Sequence, residues 1–145
     1  TEENAKSIKD ILNGIKNSHI LNDSESASSL SMLEALDVLK GIEGVSRKIA
    51  VLGDILGLGK YAVEAHETIG EKVKGSADLL FTVGERAKFF AQGAISKGMA
   101  QDKIFRFDDA ASAAKALQDE MKEGDLVLID GSKEMNMADI VREVQ

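Results

Sequence analysis

Two periods of hydrophobicity alternate along the chain. Five short runs, HILND (19–23), KIAVLGD (48–54), DLLFTVG (78–84), KIFRF (103–107) and DLVLID (125–130), are rich in the residue types that suit strands. After each run, apolar residues return every three or four positions, as one face of a helix demands. These stripes are Met32, Ala35, Leu36 and Leu39; Ala62, His66, Ile69 and Val73; Ala87, Phe90, Ala91 and Ala94; Ala110, Ala113, Leu117 and Met121; and Met137, Ile140, Val141 and Val144. The alternation predicts an α/β domain: a Rossmann-like, doubly wound, mostly parallel sheet of five or six strands with flanking helices. IAVL and LVLI are apolar on both faces and belong at its centre, whereas IFRF alternates and suits an edge. Ahead of the first strand, Ala5, Ile8, Ile11, Leu12 and Ile15 predict a further amphipathic helix. Residues 1–18 therefore read as an N-terminal helix or linker and 19–145 as the domain. The chain begins at Thr1 and runs straight into that helix, as an excised or processed piece would.

Composition narrows the chemistry. A length of 145 residues suffices for one hydrophobic core. Eighteen basic against 25 acidic residues leave a net charge of −7, which disfavours nucleic acid and anionic membrane surfaces as partners. With no cysteine and only His19 and His66, neither a disulfide nor a thiolate or His-rich metal site can be built, and no metal ligands are assigned. No run approaches the ~20 apolar residues of a membrane span and no signal pattern opens the chain, so a cytoplasmic setting is expected.

The stretch VLGDILGLGKY (51–61) invites a phosphate-loop reading and fails it. Gly53 to Gly59 is one residue too long for G-x-x-x-x-G-K-[ST], and Lys60 is followed by Tyr61 rather than a hydroxyl that could reach a metal. A dinucleotide fingerprint needs its first glycine at the strand end, whereas the strand-like run stops near Gly53, four residues before Gly57.

In a doubly wound sheet, ligands bind outside the carboxyl ends of the strands, which directs attention to the segments after Asp23, Gly53, Gly84, Phe107 and Asp130. Taken in order, those segments are NDSESASSLSM (22–32), VLGDILGLG (51–59), AHETIG (65–70), TVGERA (82–87) and GDLVLIDGSKEMNM (124–137). Together they resemble the C-terminal domain of the Mur ligases, in register from about residue 19 to the end. The resemblance is to the branch whose third domain carries D-S-Y-N-A-x-P-x-S-M, V-L-G-D-M-L-E-L-G, H-x-x-x-G, V-G and G-D-x-V-L-x-K-G-S. It implies an ATP-dependent amide-bond ligase of peptidoglycan precursor synthesis. The carboxylate of a UDP-linked muramoyl tripeptide is activated as an acyl phosphate, and the amine of D-alanyl-D-alanine attacks it. In that scheme ATP and magnesium belong to the complete enzyme. The P-loop lies in a central ATP-binding domain that this sequence lacks, so no ligase activity and no tight nucleotide binding are expected of these residues alone.

The resemblance also implies site residues: Asp23, Ser24 and Ser26 toward the nucleotide, and Asp130, Gly131 and Ser132 toward the incoming substrate. No catalytic residue is assigned. Glu25, Ser26 and Ser29 stand where the family loop has Tyr, Asn and Pro; Gly57 replaces the Glu of L-E-L-G; Asp130 replaces the Lys of K-G-S. All five are expected in loops at the ligand edge. The other reading is therefore a non-catalytic scaffold or interaction module, diverged or engineered, that keeps the fold without the ligand contacts. Simpler roles compete at single residues. Ser28 or Ser29 can cap the following helix, and Ser31 with Glu34 fits a capping box. Asp54 suits a turn better than a phosphoacceptor, for which the paired acids and partner lysine are missing. His66 falls on a core stripe, Met135 and Met137 suit packing, and the Gly131 and Ser132 amides can serve either an anion or a tight turn.

Overall fold

The computed structural model describes residues 10–25 and 27–145. In chain order the elements are β1 (Asp10–Gly14), β2 (Ser18–Asp23), α1 (Ser29–Gly41), β3 (Arg47–Gly53), α2 (Ala62–Val73), β4 (Leu79–Val83), α3 (Lys88–Ser96), β5 (Ile104–Phe107), α4 (Ala110–Glu120), β6 (Asp125–Asp130) and α5 (Met137–Val144). The sheet order is β1-β2-β6-β3-β4-β5. Every neighbouring pair is parallel except β1 with β2.

The apolar runs explain this order. Ala50, Val51 and Leu52 of β3 and Val127, Leu128 and Ile129 of β6 are wholly buried, so both strands need cover on both faces and take the middle of the sheet. β5, which exposes Arg106, takes an edge. Alternate residues point to opposite layers. Leu21, Leu52, Leu80 and Leu128 pack under α1, α2 and α3, while Ile20, Val51, Phe81, Val127 and Ile129 pack under α4 and α5. Each such side chain contributes roughly 1.5–3 kcal/mol by leaving water.

Helices α2 and α3 touch backbone to backbone. A Cβ placed on Gly70 would lie 2.0 Å from the Phe90 carbonyl oxygen, and one on Gly93 would lie 2.1 Å from that of Glu67. Two glycines inside helices each cost about 1 kcal/mol in propensity, which the close contact must offset. At the opposite end of the sheet from the β–α loops, Arg47 ties β3 to β6 and α4. Its Nε and Nη2 donate to the two oxygens of Asp125 at 3.0 and 2.8 Å, and Nη1 donates to Glu120 at 3.0 Å.

The N-terminal helix expected from Ala5 to Ile15 is corrected over its described part; Ala5 and Ile8 lie outside the described residues. Residues Asp10–Gly14 form a strand antiparallel to β2, and Lys16 and Asn17 turn the chain with φ of 57° and 58°. The hairpin belongs to the same sheet as the strands that follow it, although Gly14 and Ser18 lie before residue 19. The physical reason is that, of the stripe's described residues, Leu12 and Ile15 pack against the core while Ile11 is exposed, and pairing covers the open edge of β2. Lys16 secures the hairpin by donating to the carbonyls of Gln118 and Met121, at the end of α4.

Candidate functional site

The connections that follow β2 to β6 all leave from one end of the parallel strands, and helix N-termini gather there. β2, β3 and β4 send the chain to one face; β5 and β6 send it to the other. Because β6 lies between β2 and β3, its end is flanked on both sides by chains departing to the opposite face. Ligand crevices form at such reversals.

Five of the six residues assigned from sequence come together here, and Ser26 lies outside the described residues. Asp23 and Asp130 are partners in the parallel register of β2 and β6. Asp23 is half-buried and Ser24 is buried; the Ser24 hydroxyl donates to Asn22 Oδ1 at 2.7 Å and its N–H to the same oxygen at 3.1 Å. That geometry closes a turn out of β2. Ser132 is likewise committed: its N–H donates to the Asp54 carbonyl at 3.0 Å and its Oγ accepts from the Leu56 N–H at 2.9 Å. Gly131 is packed so closely that a Cβ would meet Met137 Cγ at 2.8 Å and the Gly53 backbone at 3.0 Å, which decides for a packed turn over an open anion cradle.

Asp130 ends the strand expected at 125–130, but it is enclosed rather than open at the ligand edge. It is the last residue of β6 and 0% exposed, and among the described residues neither carboxyl oxygen meets a donor in full hydrogen-bond geometry. The strand's period places it on the same face as Leu126 and Leu128, at the top of the core under α1 to α3. Burial first, and then the neighbouring Asp23 carboxyl, hold the Asp130 carboxyl well above the usual carboxylate range. The Gly131 N–H opposes that shift only weakly.

Around the end of β3, polar groups serve structure. Asp54, 2% exposed, accepts from the Ala87 N–H at 2.7 Å through Oδ1 and from Arg86 at 3.4 Å through Oδ2. It therefore fixes the start of α3, and the phosphoacceptor reading has no free carboxylate to act with. His66 Nδ1 donates to the Ala62 carbonyl at 2.6 Å, which leaves Nε2 to accept from the Ile55 N–H at 3.1 Å. That pattern requires the neutral ring, and burial lowers the His66 pKa accordingly. The helix following β2 is capped by Ser28, which exchanges hydrogen bonds with Ser31 three residues on, so Ser31 answers the cap rather than being it. Among the described residues no His, Cys, Asp and Glu cluster could hold a metal, and no helix is long and apolar enough to cross a membrane.

Leu30, Tyr61 and Val63 are exposed at the start of α1 and α2, beside a groove of about 240 Å³ lined by Ser29, Leu33, Tyr61, Ala65 and Thr68. The same end of the sheet thus carries acids at its centre and an apolar shoulder.

The Mur ligase, glutamate ligase domain matches residues 9–133. The chain belongs to that family. It is 31% identical over 126 residues to the UDP-N-acetylmuramoyl-tripeptide--D-alanyl-D-alanine ligase of Bacillus subtilis, covering 86% of this chain and 27% of that protein. It is 31% identical over 115 residues to the ligase of the same name from Synechocystis, covering 79% of this chain and 24% of that one. The chain therefore spans about a quarter of the length of these relatives. Solved structures share the fold: MurF from Thermotoga maritima in complex with ADP superposes with a TM-score of 0.74 at 23% identity, over 92% of this chain and 29% of that one. MurF from Acinetobacter baumannii gives 0.79 at 23% identity, over 94% and 30%. This family member shares its fold with those solved structures.

Sequence reasoning locates the edge but misses three features of this Mur ligase domain: the burial of Asp130, the Asp54–Ala87 contact and the His66–Ile55 contact. Strand parity is the available signal for the first, since Asp130 is two and four residues from the buried Leu128 and Leu126. The other two depend on loop geometry that no spacing encodes.

Proposed function

We propose that this chain is the C-terminal domain of an ATP-dependent ligase that joins D-alanyl-D-alanine to a UDP-linked muramoyl tripeptide in peptidoglycan precursor synthesis, and that it is inactive alone. One observation carries the reading: 86% of the chain aligns with 27% of a named ligase at 31% identity. In the complete enzyme, ATP with magnesium supplies phosphoryl activation of the tripeptide carboxylate. The chain's own edge, with Asp23 and Glu25, suits hydroxyl or amine groups better than phosphates, so the phosphate-binding loop and metal ligands are assigned to a central domain outside this sequence. In this reading Asp23 accepts from a hydroxyl of the nucleotide, while Ser24, Gly131 and Ser132 shape the wall through their turns. The exposed Leu30, Tyr61 and Val63 form the shoulder that the central domain covers on closure.

The internal commitments of Ser24 and Ser132 favour the second reading, a scaffold that retains the fold without ligand contacts. A graft separates the two. This chain replaces the equivalent part of the Bacillus subtilis ligase, and ADP release is followed with each substrate omitted in turn. The ligase reading expects release that requires both the tripeptide precursor and D-alanyl-D-alanine. A folded graft that binds ATP yet releases no ADP with both substrates supports the scaffold.

A further inference from the structure

Between β3 and α2 the chain passes abruptly from a buried, heavily bonded root to an exposed segment. Asp54 and Ile55 are 2% and 1% exposed. The Asp54 N–H donates to the Val83 carbonyl at 3.1 Å, and its own carbonyl accepts from the Ser132 N–H at 3.0 Å. The Ile55 N–H donates to His66 Nε2 at 3.1 Å, and the Leu56 N–H donates to Ser132 Oγ at 2.9 Å. Residues 54–56 are thus gripped from β4, from α2 and from the turn after β6. Ser132 takes two holds on them, across 76 residues of sequence.

The next five residues are held differently. Gly57, Gly59, Lys60 and Tyr61 are exposed, while Leu58 packs in part against the core. Gly57 and Gly59 have φ of 82° and 57°, and a Cβ on either would meet nothing within 4 Å. Their left-handed backbone is therefore not imposed by packing, and glycine passes to neighbouring conformations at little cost. Gly57 stands where the family loop carries Glu, a residue that seldom adopts positive φ. The segment's backbone bonds are local, from the Tyr61 N–H to the Leu58 carbonyl at 3.1 Å and from the Ala62 N–H to the Gly59 carbonyl. Ser28 and Asp109 cap α1 and α4, but α2 begins at Ala62 without a side-chain cap among the described residues. Tyr61 lines the groove between α1 and α2, with Lys60 Nζ 5.3 Å from its ring centre.

We propose that residues 57–61 form a hinged flap that pivots on Gly57 and Gly59 about a root latched by Ser132 and His66, and that its movement opens and closes the rim of the α1–α2 groove with Tyr61. Opening breaks local bonds whose groups are taken up by water. The root stays behind, because releasing it would leave the Ile55 and Leu56 N–H groups without acceptors in a largely buried place. A segment this short moves in nanoseconds. The hinge needs no substrate and no second domain. Its use, fitting the Tyr61 shoulder to the central domain as the two close, rests on the ligase reading.

The test combines backbone NMR relaxation, amide hydrogen exchange and time-resolved anisotropy of Tyr61 on the 145-residue chain, Gly57→Ala and Ser132→Ala. Tyr61 is the sole tyrosine and the chain has no tryptophan, so its emission reports the flap alone. In the parent, order parameters near about 0.85 are expected at 54–56 and below about 0.6 at 57–60. Gly57→Ala should shrink the fast component of the anisotropy decay and leave exchange at Ile55 and Leu56 unchanged. Ser132→Ala should speed exchange at Leu56 by about tenfold or more, beyond any rise at Val51 and Ile129 in the central strands. Should Ser132→Ala fail to fold, the parent's order parameters and Gly57→Ala still decide. Uniform order parameters across 54–61 would overturn the proposal, as would a Tyr61 that moves as before or faster in Gly57→Ala. So would a rise at Leu56 no larger than at Val51 and Ile129. A rigid segment would leave the ligase reading standing, whereas a graft that releases no ADP would leave the hinge standing.

Discussion

Asp54 and His66 show how much of this edge is held by single buried polar groups. Removing the Asp54 carboxylate leaves the Ala87 N–H without its 2.7 Å acceptor in a buried position. Asp54→Ala should therefore cost about 2 kcal/mol, measured by urea unfolding, because an unsatisfied buried donor forfeits its whole solvation. His66 adds a pH signature. Its folded pKa is lowered by burial, so below about 6.5 the unfolded chain takes up the proton more readily, and stability declines as pH falls toward the lowered value. His66→Leu should lose this decline between about pH 6.5 and 5, as read from unfolding midpoints. A slope unchanged by the substitution would assign the effect to another group. At this scale the sequence is only partly legible. The stripe containing His66 points correctly to packing, but nothing in AHETIG says that its Nε2 accepts from a loop amide. The run 125–130 places Asp130 at a strand end, but that it is wholly buried there depends on neighbours far away in sequence.

At the scale of elements, apolar periodicity succeeds where both faces of an element are buried and fails where one face is open. The runs at 48–54 and 125–130 could only be central strands, and β3 and β6 are the middle of the sheet. Residues 10–15 carry apolar positions compatible with either period, and the choice is made by the open edge of β2, which only a strand can cover. Helix contacts are legible only as stripes. That Gly70 and Gly93 bring α2 and α3 together follows from coordinates, since a glycine inside a helical pattern otherwise reads as a weakness. Gly93→Ala, which improves intrinsic propensity, should nonetheless destabilise the protein by at least about 2 kcal/mol, because its Cβ would meet the Glu67 carbonyl oxygen at 2.1 Å. A gain in thermal stability would show that the helices can part without loss. At the other end of the strands, Arg47→Met strands Asp125, which is 1% exposed, without its guanidinium. About 2–3 kcal/mol is expected by urea unfolding, less than for a fully buried pair because Arg47 is one-fifth exposed and Lys122 N–H still reaches Asp125.

For the whole molecule, the division of labour between domains is the central claim. In the proposed ligase, the sheet edge with its helix N-termini, its two acids at the reversal point and its apolar shoulder is one wall of the ligand site, and the sequence contains no G-x-x-x-x-G-K-[ST] loop to grip a nucleotide. The five ordered strand-end blocks carry the family from sequence alone, because loops at the carboxyl ends of parallel strands keep their spacing when the core fixes the strands. Which contacts survive within those blocks is not legible, since Ser24 and Ser132 are spent on turns that only the folded chain reveals. Isothermal titration of the 145-residue chain with magnesium-ATP tests the claim most directly. The account predicts no binding tighter than about 100 μM, equivalent to roughly −5.5 kcal/mol. A low-micromolar dissociation constant would contradict it, showing that this edge holds nucleotide without a second domain.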